Sequence, residues 1–244
     1  MTNHHWTFSI SQLQAALGVQ TLRVLNDFAV LALALPSLQE SDLHQVGAGI
    51  AAAGEAKALI GPGTGLGVSG LLYCGDQKWI PIRGEGGHVT LCAGDALEQQ
   101  VIGLLKRRFG HASAERALSG PGLVNLHDAL CTIHGRPITA IQPAAIVDQA
   151  HNPGDNICRQ TLHLFCGFLG SVAGDLALTL GARGGVYLGG GILPRMSVFL
   201  GKSDFRERFS DKGRFTTYLD AIPTFAINAN VPAALFGAAA LLKS

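Results

Sequence analysis

Gly61-Pro-Gly-Thr-Gly-Leu-Gly67, entered through Ala56-Lys-Ala-Leu-Ile60 and left through Val68-Ser-Gly-Leu-Leu-Tyr73, is the stretch on which the reading of this chain turns. The apolar runs on either side predict strands. Closely spaced glycines let backbone N–H groups approach and surround a phosphate without interference from Cβ atoms. Two familiar phosphate loops do not match. Gly61-x-Gly63-x-x-Leu66 lacks the last glycine of the dinucleotide pattern, and Gly201-Lys-Ser203 lacks the first glycine of a Walker loop because Met196 stands there. A strand, a Gly-Thr-Gly turn and a second strand suit a hairpin folded over a phosphate; a plain hairpin turn is the competing reading of the same residues.

Outward from that hairpin, Lys78 to Ile82 continues the sheet after a turn at Gly75-Asp76. Beyond Gly84-Glu-Gly-Gly-His88 the pattern becomes helical. Asp95 caps a helix to Phe109 that Gly110 closes, and Gly120-Pro121 and Pro143 mark two further helix starts. Asp155 caps a long helix to about Leu180 that is apolar almost all round, which predicts a buried central position. Gly185-Val-Tyr-Leu188 reads as a short buried strand followed by Gly189-Gly-Gly191, and Pro232 opens a last helix, Ala233 to Leu242. Upstream, Ser9 caps a helix over Ser11 to Leu17 that stops at Gly18, Thr21 to Leu25 reads as a strand, and Phe28 to Leu35 as a helix ending before Pro36. The Gly/Ala-rich segment from Ser37 to Glu55 is the best domain boundary. Strands and helices alternate in the α/β manner.

Composition narrows the functional classes. Of 244 residues, 48% are hydrophobic and only 14% charged, against about 25% charged in an average globular protein, so the chain is not disordered and has little charge to spread over a monomer's surface. Eighteen basic against 17 acidic residues give a net charge of +1, which argues against a nucleic-acid partner. The longest uninterrupted apolar run, Phe28 to Leu35, is short of the roughly 20 residues of a spanning helix, and Leu162 to Leu180 is interrupted by His163, Ser171 and Asp175. No transmembrane helix and no membrane partner are expected. The five cysteines form no CxxC pair, and neither they nor His4-His5 have zinc-ligand spacing. No protein metal site is expected from them, and reduced thiols point to a cytoplasmic protein.

Asn26-Asp27 stands between a predicted strand and a predicted helix, where α/β folds present catalytic groups; a helix cap is the plainer reading of the pair. Glu85 and His88 lie in a glycine-flanked loop and Glu115 just before Leu118-Ser-Gly-Pro-Gly122, positions that are solvated in most proteins.

Together these members are far more specific than any one of them. In order, Leu25-Asn-Asp-Phe28, Gly61 to Gly67, Gly84-Glu-Gly-Gly-His88, His111-Ala-Ser-Ala-Glu-Arg116 with Leu118-Ser-Gly-Pro-Gly122, and Leu188-Gly-Gly-Gly-Ile192 closely resemble the bacterial glucokinase family of the hexokinase and actin-like superfamily. The resemblance runs from Thr2-Asn3 to the last helix. It implies an actin-like, ribonuclease H-like α/β fold and ATP-dependent phosphorylation of glucose to glucose 6-phosphate. By the same resemblance Asn26, Glu85, His88 and Glu115 hold glucose by its hydroxyls, and Asp27 is the catalytic base at the 6-hydroxyl. Gly63, Thr64 and Gly65 then serve the phosphates of ATP, and Gly189, Gly190 and Gly191 form the turn beside the adenosine. A homodimer is implied as well. The related repressor and sugar-kinase family carries a cysteine-rich zinc motif after the Glu-Gly-Gly-His segment, where this chain has only Cys92.

Family members begin with a strand and an Asp-x-Gly-Gly-Thr loop whose aspartate helps place Mg2+, and this sequence has no such segment. The expectation is a larger domain over residues 50–230 that is complete, and a smaller domain reduced to residues 1–40 with the C-terminal helix 232–244. Little or no glucokinase activity is expected of these 244 residues alone. A non-catalytic sugar-binding or regulatory relative and an inert fragment are the alternatives.

Overall fold

The computed structural model describes residues 7–152, 154, 156–228 and 233–242. The expected caps at Asp155 and Pro232, the His4-His5 pair and the Thr2-Asn3 start of the resemblance lie outside the described residues. In chain order the elements are α1 (Ile10–Leu17), α2 (Asp27–Ala34), β1 (Leu43–Val46), β2 (Lys57–Pro62), β3 (Leu66–Tyr73), β4 (Trp79–Arg83), α3 (Ala96–Phe109), α4 (Ala114–Ala117), α5 (Gly120–Ile133), α6 (Pro143–Gln149), α7 (Asn156–Leu180), β5 (Val186–Leu188), α8 (Ser197–Leu200), α9 (Phe205–Ser210), α10 (Thr216–Asp220), β6 (Thr224–Ile227) and α11 (Ala233–Leu242).

One mixed sheet carries the fold, in the order β1-β6-β5-β2-β3-β4. β6, β5 and β2 run parallel, while β3 and β4 fold back as an antiparallel meander and β1 closes the other edge antiparallel to β6. Successive residues of a strand face opposite sides, and here the two sides have different partners. Ala58, Ile60, Val186 and Leu188 join the large core around α7, together with residues of α3 to α6 and α9. Leu59, Leu71 and Tyr187 join a second core, to which α2 contributes Phe28, Leu31, Ala32 and Leu33 and α11 contributes Leu241. The glycine at Gly237 lets α11 lie directly on the Val30 backbone of α2.

Most predicted elements are present within a residue or two. Ser9 caps α1 by accepting from the Gln12 N–H, and Gly18 ends it with φ 63°. Asp95 caps α3 by accepting from the Glu98 N–H. The Gly75-Asp76 turn carries Gly75, Asp76 and Gln77 at positive φ. By length and composition α7 is apolar enough to cross a membrane, yet Leu162, Phe165, Phe168 and Leu169 place it at the centre of the protein core. This is the buried position that its all-round apolarity predicts.

Two differences have a common physical cause. Thr21 to Leu25 is not a strand but irregular chain, because a strand needs a ladder partner and no described strand pairs with it. Conversely, β1 and β6 were not predicted, being four residues each; they exist through their pairing with each other and with β5.

Candidate active site

Asn26 does act as a cap: its Oδ1 accepts from the N–H groups of Phe28 (2.9 Å) and Ala29 (3.1 Å). Asp27 is the first residue of α2, and one of its carboxylate oxygens also accepts from the Phe28 N–H (2.9 Å). Both side chains are exposed. The helix start therefore fixes the backbone of the pair and leaves the Asp27 carboxylate at the surface, so the cap reading and the catalytic reading describe neighbouring residues rather than rivals.

The hairpin turn is held from below. Within it the Gly63 N–H donates to the Gly65 carbonyl (2.8 Å). The Gly120 N–H, at the start of α5, donates to the Gly63 carbonyl (2.8 Å). Glu115 Oε2 accepts from the Leu66 N–H (2.9 Å). Ser119 ties these two anchors together, its hydroxyl donating to the Glu115 carbonyl (2.8 Å) and accepting from the Gly122 N–H (2.9 Å) as the cap of α5. With the Gly63 and Leu66 donors occupied, the N–H groups of Thr64 and Gly65 make no hydrogen bond among the described residues. The turn thus offers two adjacent donors and an exposed Thr64.

Glu85 and His88 flank one tight helical turn, Gly86–His88, where the His88 N–H donates to the Glu85 carbonyl (3.0 Å). That turn is pressed onto β3: Gly87 sits against the Leu66 backbone and Gly86 against Val68. The following residues pair with the segment leading to α4, through Leu91 N–H to the Ala112 carbonyl and Ala114 N–H to the Val89 carbonyl (2.9 Å each). Glu85 and His88 are exposed, and Glu115 is half-buried.

Gly189 extends β5 beside β2, its N–H donating to the Ile60 carbonyl (2.9 Å). Gly190 takes φ 89°, and its missing Cβ leaves room for the Pro62 carbonyl. Beside it lies a cavity of about 570 Å3 bordered by Gly189, Gly190, Gly191, Pro194, Arg195 and α11. The two glycine turns therefore stand at the carboxyl ends of neighbouring parallel strands, the edge where open α/β sheets bind ligands. Phe28 against Gly61 and Gly67, Gly86 and Gly87 against Val68 and Leu66, and Glu115 on the Leu66 N–H place the three segments that carry Asp27, Glu85 with His88, and Glu115 beside the hairpin. The Asp27 carboxylate makes no contact with Glu85, His88 or Glu115 among the described residues; what joins them is the hairpin backbone.

The sequence reading passed over Phe28, Ser119 and Gly120 as site residues. A signal for the first was present: Gly61 and Gly67 are equidistant from Thr64, as cross-strand partners around a turn must be, and the motif that contains Asp27 continues with Phe28.

A mixed sheet with helices on both faces, glycine turns at the ends of adjacent parallel strands and a carboxylate beside them define a sugar kinase of the actin-like class. Comparison with known proteins agrees. The family model described as Glucokinase matches residues 1–244. The glucokinase of Aromatoleum aromaticum is 55% identical over 241 residues, which span 99% of this chain and 72% of that protein. The crystal structure of a glucokinase from an Antarctic psychrotroph superposes with a TM-score of 0.90 at 38% identity, covering 99% of this chain and 74% of that one. A ROK-family glucokinase from Streptomyces griseus, solved with glucose and AMPPNP, shares the fold at 18% identity with a TM-score of 0.62, over 95% of this chain and 71% of that one. The chain belongs to the glucokinase family.

Proposed function

We propose that the chain phosphorylates glucose with ATP and that the work is divided as follows. Asn26, Glu85, His88 and Glu115 hold the sugar hydroxyls, and Asp27 takes the proton from the 6-hydroxyl as its oxygen attacks the γ-phosphorus. The bond from that phosphorus to the β,γ-bridging oxygen breaks, and ADP leaves. The Thr64 and Gly65 N–H groups stabilise charge on the phosphates, and Gly189 to Gly191 border the adenosine at the neighbouring cavity. Such a transfer needs placement and fixed donors more than covalent chemistry. Several carboxylates and an imidazole around one polyol also suit selection among sugars, because a wrong epimer leaves buried polar groups unpaired.

The observation that carries this reading is the Glu115 hydrogen bond to Leu66 (2.9 Å): one carboxylate ties the sugar-side segment to the phosphate turn. A non-catalytic sugar binder would keep Asn26, Glu85, His88 and Glu115 but have no use for the glycine turns at Gly61 to Gly67 and Gly189 to Gly191. Among the described residues no three acidic, histidine or cysteine side chains converge on a metal position. Magnesium would arrive with the nucleotide as MgATP, held as such sites hold it by substrate phosphates, water and one or two carboxylates. The reading includes a homodimer, supported by the 14% charged fraction, a cytoplasmic location, supported by five cysteines without a CxxC pair, and a lobe division at residues 40–50; light scattering in solution checks the dimer.

The test is Asp27→Asn, made in the chain joined upstream to the family's Asp-x-Gly-Gly-Thr segment so that turnover is measurable. A base acts mainly in the transition state, so glucose affinity stays within about an order of magnitude while turnover falls by about 10²–10⁴-fold. Equal loss of binding and turnover would make Asp27 a sugar ligand instead.

A further inference from the structure

Gly61 and Gly67 are direct cross-strand partners of β2 and β3, immediately below the phosphate turn. Neither has a backbone angle that requires glycine. What requires it is space. A Cβ on Gly61 would meet Phe28 Cζ at 2.6 Å and Cε1 at 2.8 Å, and a Cβ on Gly67 would fall onto Phe28 Cδ2 and Cε2. The Phe28 ring thus lies flat over a bare patch of sheet that only a glycine pair can provide. Gly65 is excluded from carrying a side chain by a different neighbour, the Glu115 carboxylate, while Gly63 has open space around it. The four glycines of the motif therefore do three different jobs, and two of them serve a ring rather than a phosphate.

That ring belongs to the residue after Asp27. Its N–H holds both the Asn26 and the Asp27 side-chain oxygens, and its side chain reaches the strands that end in the turn. We propose that Phe28 is a positioning residue: seated on the Gly61/Gly67 pair, it sets the Asp27 carboxylate against the Gly63–Gly65 turn and so fixes the distance between the attacking hydroxyl and the γ-phosphate. The inference rests on the proposed role of Asp27. Such registration matters because a misplacement of about 1 Å in a phosphoryl-transfer site costs about 10²-fold in rate.

The experiment, in the same upstream-extended chain, compares Phe28→Ala, Phe28→Leu, Gly67→Ala, the double variant Gly67→Ala/Phe28→Ala and Asp27→Ala, reading kcat with glucose and ATP, glucose affinity by calorimetry, and Tm. Phe28→Ala lowers kcat by about 10²-fold while glucose affinity changes by less than about tenfold. Phe28→Leu, which keeps most of the apolar contact with the second core, retains Tm near wild type and shows the same split to a smaller degree. Gly67→Ala alone lowers kcat because its methyl displaces the ring; added to Phe28→Ala it costs less than about threefold more, since the space is then free. Gly67→Ala that costs as much in both backgrounds would assign the glycine to the phosphate itself and overturn the proposal. So would Phe28 variants with unchanged kcat beside an inactive Asp27→Ala, or a kcat loss matched by an equal loss of glucose affinity. Turnover surviving in Asp27→Ala would instead overturn the role of Asp27, and the positioning proposal with it.

Discussion

The two sides of Asp27 are built to different standards. Upstream, α1 buries no residue: Phe8, Ile10, Leu13 and Leu17 are all exposed, and the chain from 20 to 26 has no regular structure. Downstream, Phe28 rests on the hairpin, the hairpin is hydrogen-bonded to Glu115 and Gly120, and α5 behind them buries Leu123, Leu126 and Leu130 completely. An eight-residue helix is below the ~12–15 residues at which isolated helices become even marginal, so its backbone opens at little cost, whereas the hairpin opens only with the core. The lesson is about where preorganisation is needed. Donors that stabilise phosphate charge must be fixed before the reaction begins, and the two proposed in this chain, the Thr64 and Gly65 N–H groups, lie on the downstream side. The proposed base stands at the junction, with its backbone fixed by a cap and a ring on that same side.

The largest loss is expected on the downstream side, at its buried ion pair. Glu98 of α3 is 1% exposed and accepts from Arg208 of α9 at 2.7 and 2.9 Å, while the Gly94 N–H donates to it at 2.6 Å. The hydrogen bond to this carboxylate holds the Arg208 guanidinium above its ordinary pKa. Arg208→Ala leaves Glu98 buried without its partner, and the expected cost is about 3–5 kcal/mol. A urea titration measures this as a lower midpoint at unchanged slope. No comparable loss is expected upstream of Asp27, where no polar side chain is buried among the described residues.

A smaller break falls on the link between the two anchors of the turn. Ser119 is buried, caps α5 and holds the Glu115 carbonyl. Ser119→Ala should cost about 1–2 kcal/mol as a lost cap, and it should act beyond α5. Amide exchange at Gly63 and Leu66, whose partners are Gly65 and Glu115, speeds up in this variant; acceleration confined to α5 would mean that the turn is held without Ser119.

What the sequence disclosed follows the same division. The hairpin, the capped α3 and α7 were legible because local chemistry and tertiary structure agree there: Asp95 caps where a helix begins, and an all-apolar helix lies in the core. The proposal of Asn26, Glu85, His88 and Glu115 as sugar ligands came only through the order of five motifs, since each residue alone is an ordinary exposed or half-buried polar group. Thr21 to Leu25 was misread because its apolar alternation states a preference that a strand realises only beside a partner. β1 and β6 were missed for the inverse reason: pairing between His44 and Ala226 or Val46 and Thr224 is a non-local fact with little local signature. Phe28 was passed over because its function depends on two glycines more than thirty positions away, whose spacing looks like part of a phosphate loop until the register is known.

The smallest expected effect sharpens the comparison most. Leu13 lies in the middle of α1 and is 37% exposed, in a helix without a buried residue. If the upstream segment makes no contribution to the stability of the rest, Leu13→Ser changes the unfolding free energy by less than about 0.5 kcal/mol, as exposed positions generally do. Leu126→Ala in α5 is the matching control: that side chain is fully buried, and its truncation costs about 2–5 kcal/mol through lost transfer energy and a residual cavity. Both variants are read by the same urea titration. Near-silence at Leu13 with a large loss at Leu126 places the boundary of the cooperative unit between α1 and α2, which is where the cap on Asn26 begins to hold Asp27. A loss of more than about 1 kcal/mol at Leu13 would exceed what an exposed position supplies and would mean that α1 buries its apolar face against a surface in solution, extending the ordered support of Asp27 to its upstream side.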